Sequence, residues 1–278
     1  VCSSDLIAGV TATSNVLAGK VYGVPLSGTM AHSYVQAHKN EAEAFRAFAR
    51  LYPETVLLVD TYDTLAGVRK VIDMADTLGE NFRIRAVRLD SGDLAELSRQ
   101  ARRLLDEAGL QNVGIFASGG LDEDGIAALV AAGAPIDGFG VGTLMGVSSD
   151  APALDMAYKL CAYAGEGRLK LSTGKKLLPG RKQVFRIEND GCAQRDVIAR
   201  ATERLEGRPF LKIVMHNGKR LPTAMRHLGK IRDVAEREIA MLPEDVRDLQ
   251  PLKSPYPVEV SEELVAYQGE IARKVAPR

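Results

Sequence analysis

Four short apolar runs, TVLLVD (55–60), RIRAVRLD (83–90), NVGIFAS (112–118) and IDGFGV (136–141), each stop at a polar or glycine-rich turn. Runs this short, rich in β-branched residues and bounded by turn formers, predict buried parallel strands. Between them the apolar positions take a helical period. Leu65, Val68, Val71, Ile72, Ala75 and Leu78 form one stripe ending at Gly79, and Leu94, Leu97, Ala101, Leu104 and Leu105 a second ending at Gly109. Ile126, Leu129 and Val130 form a shorter third, closed by Gly133. Strand then helix, recurring at roughly 25 to 30 residues, is the βαβ rhythm of a parallel sheet.

Upstream, GVTATSN and VPLSGT read as two more strand ends, each leading into a helical stretch, Val16 to Lys20 and Met30 to Arg50. That makes about six strands, short of the eight that close an α/β barrel. An incomplete TIM-like α/β barrel is the expected fold. An open doubly wound sheet fits the same periodicity, but no GxGxxG opens a helix after the first strand, which counts against its dinucleotide-binding version. After about residue 165 the texture changes: GEGRLKLSTGKKLLPGRKQVFRIENDG is basic and strand-like, punctuated by Gly167, Gly174, Pro179, Gly180 and Gly191. FLKIVMHNGKRL continues it, Thr223 to Leu242 turns helical, LPEDVRDLQPLKSPYPVEVS reads as a surface loop, and a last helix starts near Glu262. The expected division is a barrel over 1–165 that carries the active site and a β-rich and helical region over 166–278.

The charge balance narrows the partners. With 36 basic and 36 acidic residues no global field recruits nucleic acid or an anionic membrane, so anion binding has to be local. Cys2, Cys161 and Cys192 have no paired spacing, which argues against a disulfide framework or zinc site and fits a reducing, cytoplasmic compartment. No apolar run approaches the roughly 20 residues of a membrane span. The chain starts at Val1, and VCSSDL runs straight into patterned sequence, which suggests an upstream piece.

In parallel α/β folds ligands sit beyond the carboxyl ends of the strands. Those ends carry Thr13, Ser14 and Asn15; Ser27, Gly28, Thr29 and His32; Asp60 and Asp63; Arg88, Asp90, Ser91 and Asp93; and Ser118, Gly119, Gly120, Gly140, Gly142 and Thr143. Glycines in ASGGLDEDG and GFGVGT let backbone N–H groups approach a phosphate, although both also read as ordinary tight βα turns, with Ser118 and Asp122 as caps in the first. In RLDSGD, Arg88 can meet a carboxylate with two parallel hydrogen bonds. Asp90, Asp93 and Asp60 are candidates for ribose hydroxyls or a magnesium ion held through water, while Asp63 and Asp93 also suit helix N-caps. His32 and His38 are six positions apart, about 120° out of line on a helix, so they are not a metal pair. His32 stands out because it follows Gly28 and Thr29 at a strand end. His38, His216 and His227 are assigned no chemistry.

GTMAHSYVQAH, LVDTYDT, VRLDSGDL, FASGGLDE, GFGVGT and KLSTGKKLLPGRKQVFR, in this order, resemble the nicotinate phosphoribosyltransferase family over roughly residues 7 to 190. The resemblance implies the incomplete α/β barrel of the type II phosphoribosyltransferases with an appended β-rich domain, a homodimer, and synthesis of nicotinate mononucleotide from nicotinate and phosphoribosyl pyrophosphate with coupled ATP hydrolysis and Mg2+. It implies that ATP phosphorylates His32, which suits the nucleophilicity of a neutral imidazole. Thr29 and Arg88 match nicotinate contacts, Arg88 answering the carboxylate, and Thr143 matches a phosphoribosyl pyrophosphate contact. Asp90 and Asp93 are expected to stabilise positive charge on the ribose. The family's N-terminal segment, which shares the β-domain and supplies an aromatic residue that stacks on nicotinate, has no counterpart here. The chain therefore reads as truncated, with an inactive ligand-binding remnant as one alternative. A sister enzyme using nicotinamide or quinolinate is another, although Arg88 favours a carboxylated ring over an amide. A barrel isomerase, aldolase or flavin enzyme is a further class, but no strand end offers Lys or Cys.

Overall fold

The computed structural model describes residues 9–148, 150, 156–172, 177–224, 227–248 and 255–276. Cys2, Gly174 and the first residues of the chain lie outside them. The chain falls into two compact units. One comprises the residues up to Tyr163 with Arg168–Leu177 and the residues from Ala272 onward; the other comprises Ala164–Gly167 with Leu178–Ile271.

The first unit runs α1 (Val16–Tyr22), α2 (His32–Ala37), α3 (Glu41–Leu51), β1 (Val56–Leu58), α4 (Thr64–Leu78), β2 (Ala86–Leu89), α5 (Leu94–Glu107), β3 (Gly114–Ser118), α6 (Glu123–Ala131), β4 (Gly138–Gly140) and α7 (Thr143–Gly146). The four strands pair in parallel in the order β1-β2-β3-β4, as the apolar runs predict. Leu57, Val87, Leu89, Ile115 and Ala117 share one face and are fully buried. Each large aliphatic among them stabilises the fold by about 2 kcal/mol. Gly67 lets α4 lie directly on the chain leaving β1, since a Cβ there would come within 2.1 Å of the Val59 carbonyl oxygen. An aspartate ends each of the first three βα turns and caps the following helix: Asp63 takes the Ala66 N–H, Asp93 the Glu96 N–H and Asp122 the Gly125 N–H, at 2.7 to 3.0 Å, whereas α7 follows Gly142 without a side-chain cap.

Three expectations for this unit need correction. Of the two further strands foreseen upstream, the structure forms a single parallel bridge, Thr13 to Leu26, so the described sheet has four strands rather than about six. Met30 to Arg50 is two helices, because His38 ends α2 in extended backbone and Asn40 starts α3 with its side chain on the Glu43 N–H. The third apolar stripe exists on α6, but no residue of that helix is buried.

The second unit is built on β5 (Lys182–Asn189), β6 (Cys192–Arg200), β7 (Arg208–Pro209), β8 (Met215–His216), β9 (Lys219–Arg220), α8 (Leu228–Ala240), α9 (Glu244–Arg247), β10 (Val258–Val260) and α10 (Glu262–Val275), the last running on into residues of the first unit. The main sheet has the order β10-β6-β5-β7. Asp190-Gly191 and Asn217-Gly218 turn the two hairpins with positive φ at both positions, the geometry that matches strand twist. Buried Arg186 meets both oxygens of Asp196 at 2.8 and 2.9 Å and stacks on Phe210. The segment 242–261, expected to be a loop, contains α9 and β10. Val258–Val260 pairs in parallel with β6, and the Tyr267 hydroxyl on α10 accepts the Gly167 N–H at 2.9 Å.

Candidate active site

Strand register decides which polar groups meet. Leu58, Arg88, Phe116 and Gly138 are aligned partners across the sheet, and Ser118 pairs with Gly140 two residues further on. Asp60 and Asp90 lie the same two residues beyond Leu58 and Arg88. One polar layer therefore crosses the carboxyl ends of the strands on the face opposite Leu57, Val87 and Ile115.

The layer is tied together by hydrogen bonds. The Asp60 side chain is 1% exposed, and its Oδ2 accepts from the Asp90 N–H at 3.0 Å and from Ser91 Oγ at 2.5 Å. Ser118 Oγ donates to Asp90 Oδ1 at 2.6 Å. Burial pushes the Asp90 carboxyl up, but the His32 imidazole and Ser118 hydroxyl beside its oxygens, with the Arg88 charge nearby, outweigh burial and hold the group down at about 2. It is ionised at any physiological pH.

His32 opens α2 and turns into this layer. Its Nδ1 lies 3.0 Å from the hydroxyl of Thr61, a fully buried residue, while its Nε2 faces Asp90 Oδ2 at 3.5 Å and Asp60 Oδ1 at 4.0 Å. Two carboxylates around Nε2 favour the tautomer that carries its proton there. The Nδ1 lone pair then accepts from Thr61 and is the nucleophilic position. Nε2 and Asp60 Oδ1 are both buried without a hydrogen bond, so polar capacity is left over at the centre of the cluster. The Asp60 and Asp90 carboxylates are oxygen donors of the kind Mg2+ takes, one or two at a time with water and substrate oxygens completing its shell, and Asp60 Oδ1 is left without a hydrogen bond. Among the described residues no group of three His, Cys, Asp or Glu forms a metal cage of protein alone.

Arg88 Nη2 and Thr29 Oγ1 donate to the same acceptor, the Met30 carbonyl, at 3.2 and 3.1 Å, so the two expected nicotinate contacts do converge. Arg88 Nε is buried without a partner, which leaves its guanidinium capacity for a further acceptor. Gly119 has φ +99°, and a Cβ there would be 2.1 Å from the Asp90 carbonyl oxygen, so the turn after β3 runs flush against the end of β2. Gly120 (φ +68°) and Gly142 face open space, and Thr143 opens the short α7 on the surface. Gly140 stands beside Ser118, whose hydroxyl is committed to Asp90 rather than to solvent. Asp93 is exposed and engaged as the cap of α5, unlike Asp60. His38 binds the Tyr34 carbonyl and His227 caps α8.

Residues 6–182 match the model of the nicotinate phosphoribosyltransferase (NAPRTase) family. The chain belongs to that family. It is 55% identical over 273 residues to the nicotinate phosphoribosyltransferase pncB2 of Mycobacterium tuberculosis (strain H37Rv), covering 98% of this chain and 58% of that one. It is 44% identical over 217 residues to the nicotinate phosphoribosyltransferase of Bacillus subtilis, covering 75% and 44% respectively. The chain thus spans between two fifths and three fifths of the length of these relatives. Among solved structures, the nicotinate phosphoribosyltransferase of Porphyromonas gingivalis shares the fold with a TM-score of 0.50 and 24% identity, over 62% of this chain and 50% of that one.

Within this nicotinate phosphoribosyltransferase framework, sequence reasoning passed over Thr61. It lies between Asp60 and Asp63 in a motif where only the carboxylates drew notice. The signal was its place directly after a buried strand, where a hydroxyl must find a partner. Its backbone carbonyl also accepts the Leu171 N–H at 3.0 Å, which ties residues 168–172 to the end of β1. Next to it, burial pushes the Tyr62 phenol up to about 12, the Glu41 carboxylate adding to the shift and Arg168 opposing it. Tyr62 therefore stays a neutral wall of the loop.

Proposed function

We propose that this chain carries the chemical centre of a nicotinate phosphoribosyltransferase that forms nicotinate mononucleotide and pyrophosphate, with ATP hydrolysis coupled through His32, in NAD biosynthesis. The observation that supports this most is the fixing of His32 between a hydroxyl at Nδ1 and two carboxylates at Nε2.

In this reading Nδ1 attacks the γ-phosphorus of ATP as ADP leaves. Asp60 and Asp90 hold the Nε2 proton and stabilise the positive charge that develops on the ring. Thr61 orients the imidazole before the attack. Arg88 binds the nicotinate carboxylate, and Thr29 fixes the turn beside it. The pyridine nitrogen then attacks C1 of the ribose as the bond to pyrophosphate breaks, a transfer that needs positioning and charge stabilisation more than covalent help. Asp90, ionised far below neutral pH, is the charge suited to the cationic sugar. The backbone N–H groups at Gly119, Gly120 and Gly142, with Thr143, form the phosphate cradle. Magnesium held by Asp60 and Asp90 would neutralise charge on the phosphates. The active assembly in this reading is a homodimer.

Incubation with γ-labelled ATP tests it. Acid-labile, base-stable label on the wild type that is lost in His32→Ala is the expected result. Label that survives the substitution, or an unlabelled wild type, overturns the phosphohistidine.

A further inference from the structure

Phe116 belongs to no part of the cluster described so far, yet it lies on the same face of the sheet. It is the aligned neighbour of Arg88 on the adjoining strand, about 5 Å away at the backbone. Exposure rises along that row. Leu58 is fully buried, Arg88 is half-buried, and Phe116, in the middle of a strand whose neighbours Ile115 and Ala117 are at 0%, is 38% exposed. A large aromatic ring held open to solvent on the interior strand of a parallel sheet forgoes burial that the adjoining residues obtain.

The next residue in the row explains how the ring is placed. A Cβ on Gly138 would come within 2.6 and 2.7 Å of the Phe116 ring carbons, so the ring lies over the bare backbone of β4. Any side chain at 138 would displace it. Gly138 needs no glycine for its backbone angles, since it is absent from the positive-φ positions, so what the glycine provides is room for the ring. Arg88 and Phe116 side by side offer a charge fork for a carboxylate and an apolar wall for the ring that bears it.

From this we propose that Phe116, seated on Gly138, is the ring-size selector of the site: it packs against the pyridine ring whose carboxylate Arg88 binds, and limits the pocket to a single six-membered ring. The proposal rests on the nicotinate reading above. Fused aromatic acids are excluded because the second ring would occupy the space of Phe116.

Calorimetric titration of the full chain with nicotinate and with quinoline-3-carboxylate, on the wild type, Phe116→Ala, Phe116→Tyr and Gly138→Ala, tests it, with thermal melting as the control for folding. Wild type should bind nicotinate and not the quinoline acid. Phe116→Ala should weaken nicotinate about tenfold and admit the quinoline acid, Phe116→Tyr should keep the wild-type preference, and Gly138→Ala should lose nicotinate affinity by displacing the ring. Where turnover is measured, KM for nicotinate should rise while KM for phosphoribosyl pyrophosphate does not move. Equal nicotinate affinity in wild type and a folded Phe116→Ala overturns the selector and leaves the nicotinate reading standing. A wild type that binds no nicotinate overturns both.

Discussion

The ends of β1 and β2 and the ends of β3 and β4 belong to one sheet but are built in opposite ways. At the first pair, side chains do the work: buried Asp60 and Thr61 and half-buried Asp90 and His32 interlock in one layer, with each group held by at least one neighbour. At the second pair there is almost no side chain. Gly119, Gly120, Gly140 and Gly142 present backbone, and Ser118 turns its hydroxyl back to the first pair. In the reaction proposed above, the difference matches two tasks. Charge that must be in place before a reaction is fixed by buried, mutually bonded groups, whereas a phosphate with many oxygens is met by N–H groups at turns.

The sharpest way to break this comparison is at the seam. Gly119 is where the backbone-built half touches the side-chain-built half, and Gly119→Ala forces a Cβ into the Asp90 carbonyl at a φ of +99°. A loss of about 3 kcal/mol in denaturant unfolding is expected. Gly120→Ala, one residue on and facing open space, should cost only about 1 kcal/mol. Equal losses at the two positions would show that the contact with Asp90 is not what fixes the turn.

Within the side-chain half, Asp60→Asn keeps the shape and removes a charge beside Nε2. The rate of phosphoryl acceptance by His32 should drop about a hundredfold. A change under threefold would reduce Asp60 to scaffolding for Asp90 and Ser91.

Acid should act on the same half. Because the Asp90 pKa is about 2 in the folded chain and near 3.8 unfolded, its contribution is complete above about pH 4 and is lost as pH falls toward 2. That contribution is about 2 kcal/mol, and Asp90→Asn should remove this part of the acid dependence. Stability curves of wild type and variant that stay parallel between pH 4 and 2 would contradict it.

The smallest effect is expected at Asp93. Asp93→Ala should cost about 1 kcal/mol of stability through the lost cap and leave phosphorylation of His32 unchanged. A large kinetic defect would return Asp93 to the chemistry.

Asp60 and Asp93 show what can be read before a structure and what cannot. Both are aspartates just past a predicted strand, and the sequence treats them alike as ribose or magnesium candidates. One sits in register with the polar layer and is buried, while the other stands at a helix start. The parallel strands were legible because each is a short apolar run that stops at a polar or glycine-rich turn, even where, as at Phe116 and along β4, the structure leaves the strand open. Helix α6 was legible as a helix but not as a surface, since periodicity records a stripe and not its cover. Val258–Val260 was hidden because three residues after a Pro-rich stretch carry too little pattern to be seen as a strand. His32 and Arg88 were visible from their positions at strand ends. Thr61 and Phe116 needed the fold to show one buried against His32 and the other uncovered beside Arg88.

The pairing of β10 with β6 also sets an order of events as the chain is made. Every strand of the first sheet meets its partner within roughly 30 residues, so that sheet can form as soon as Gly140 has been synthesised. Strand β6 ends at Arg200, yet the neighbour that covers its outer edge starts only at Val258. At about 5 to 20 residues per second, several seconds of translation separate the two. For that interval β6 presents an open hydrogen-bonding edge, with Val197 and Ile198 at its centre. Nascent chains caught there are the ones most exposed to pairing with each other and most in need of a chaperone.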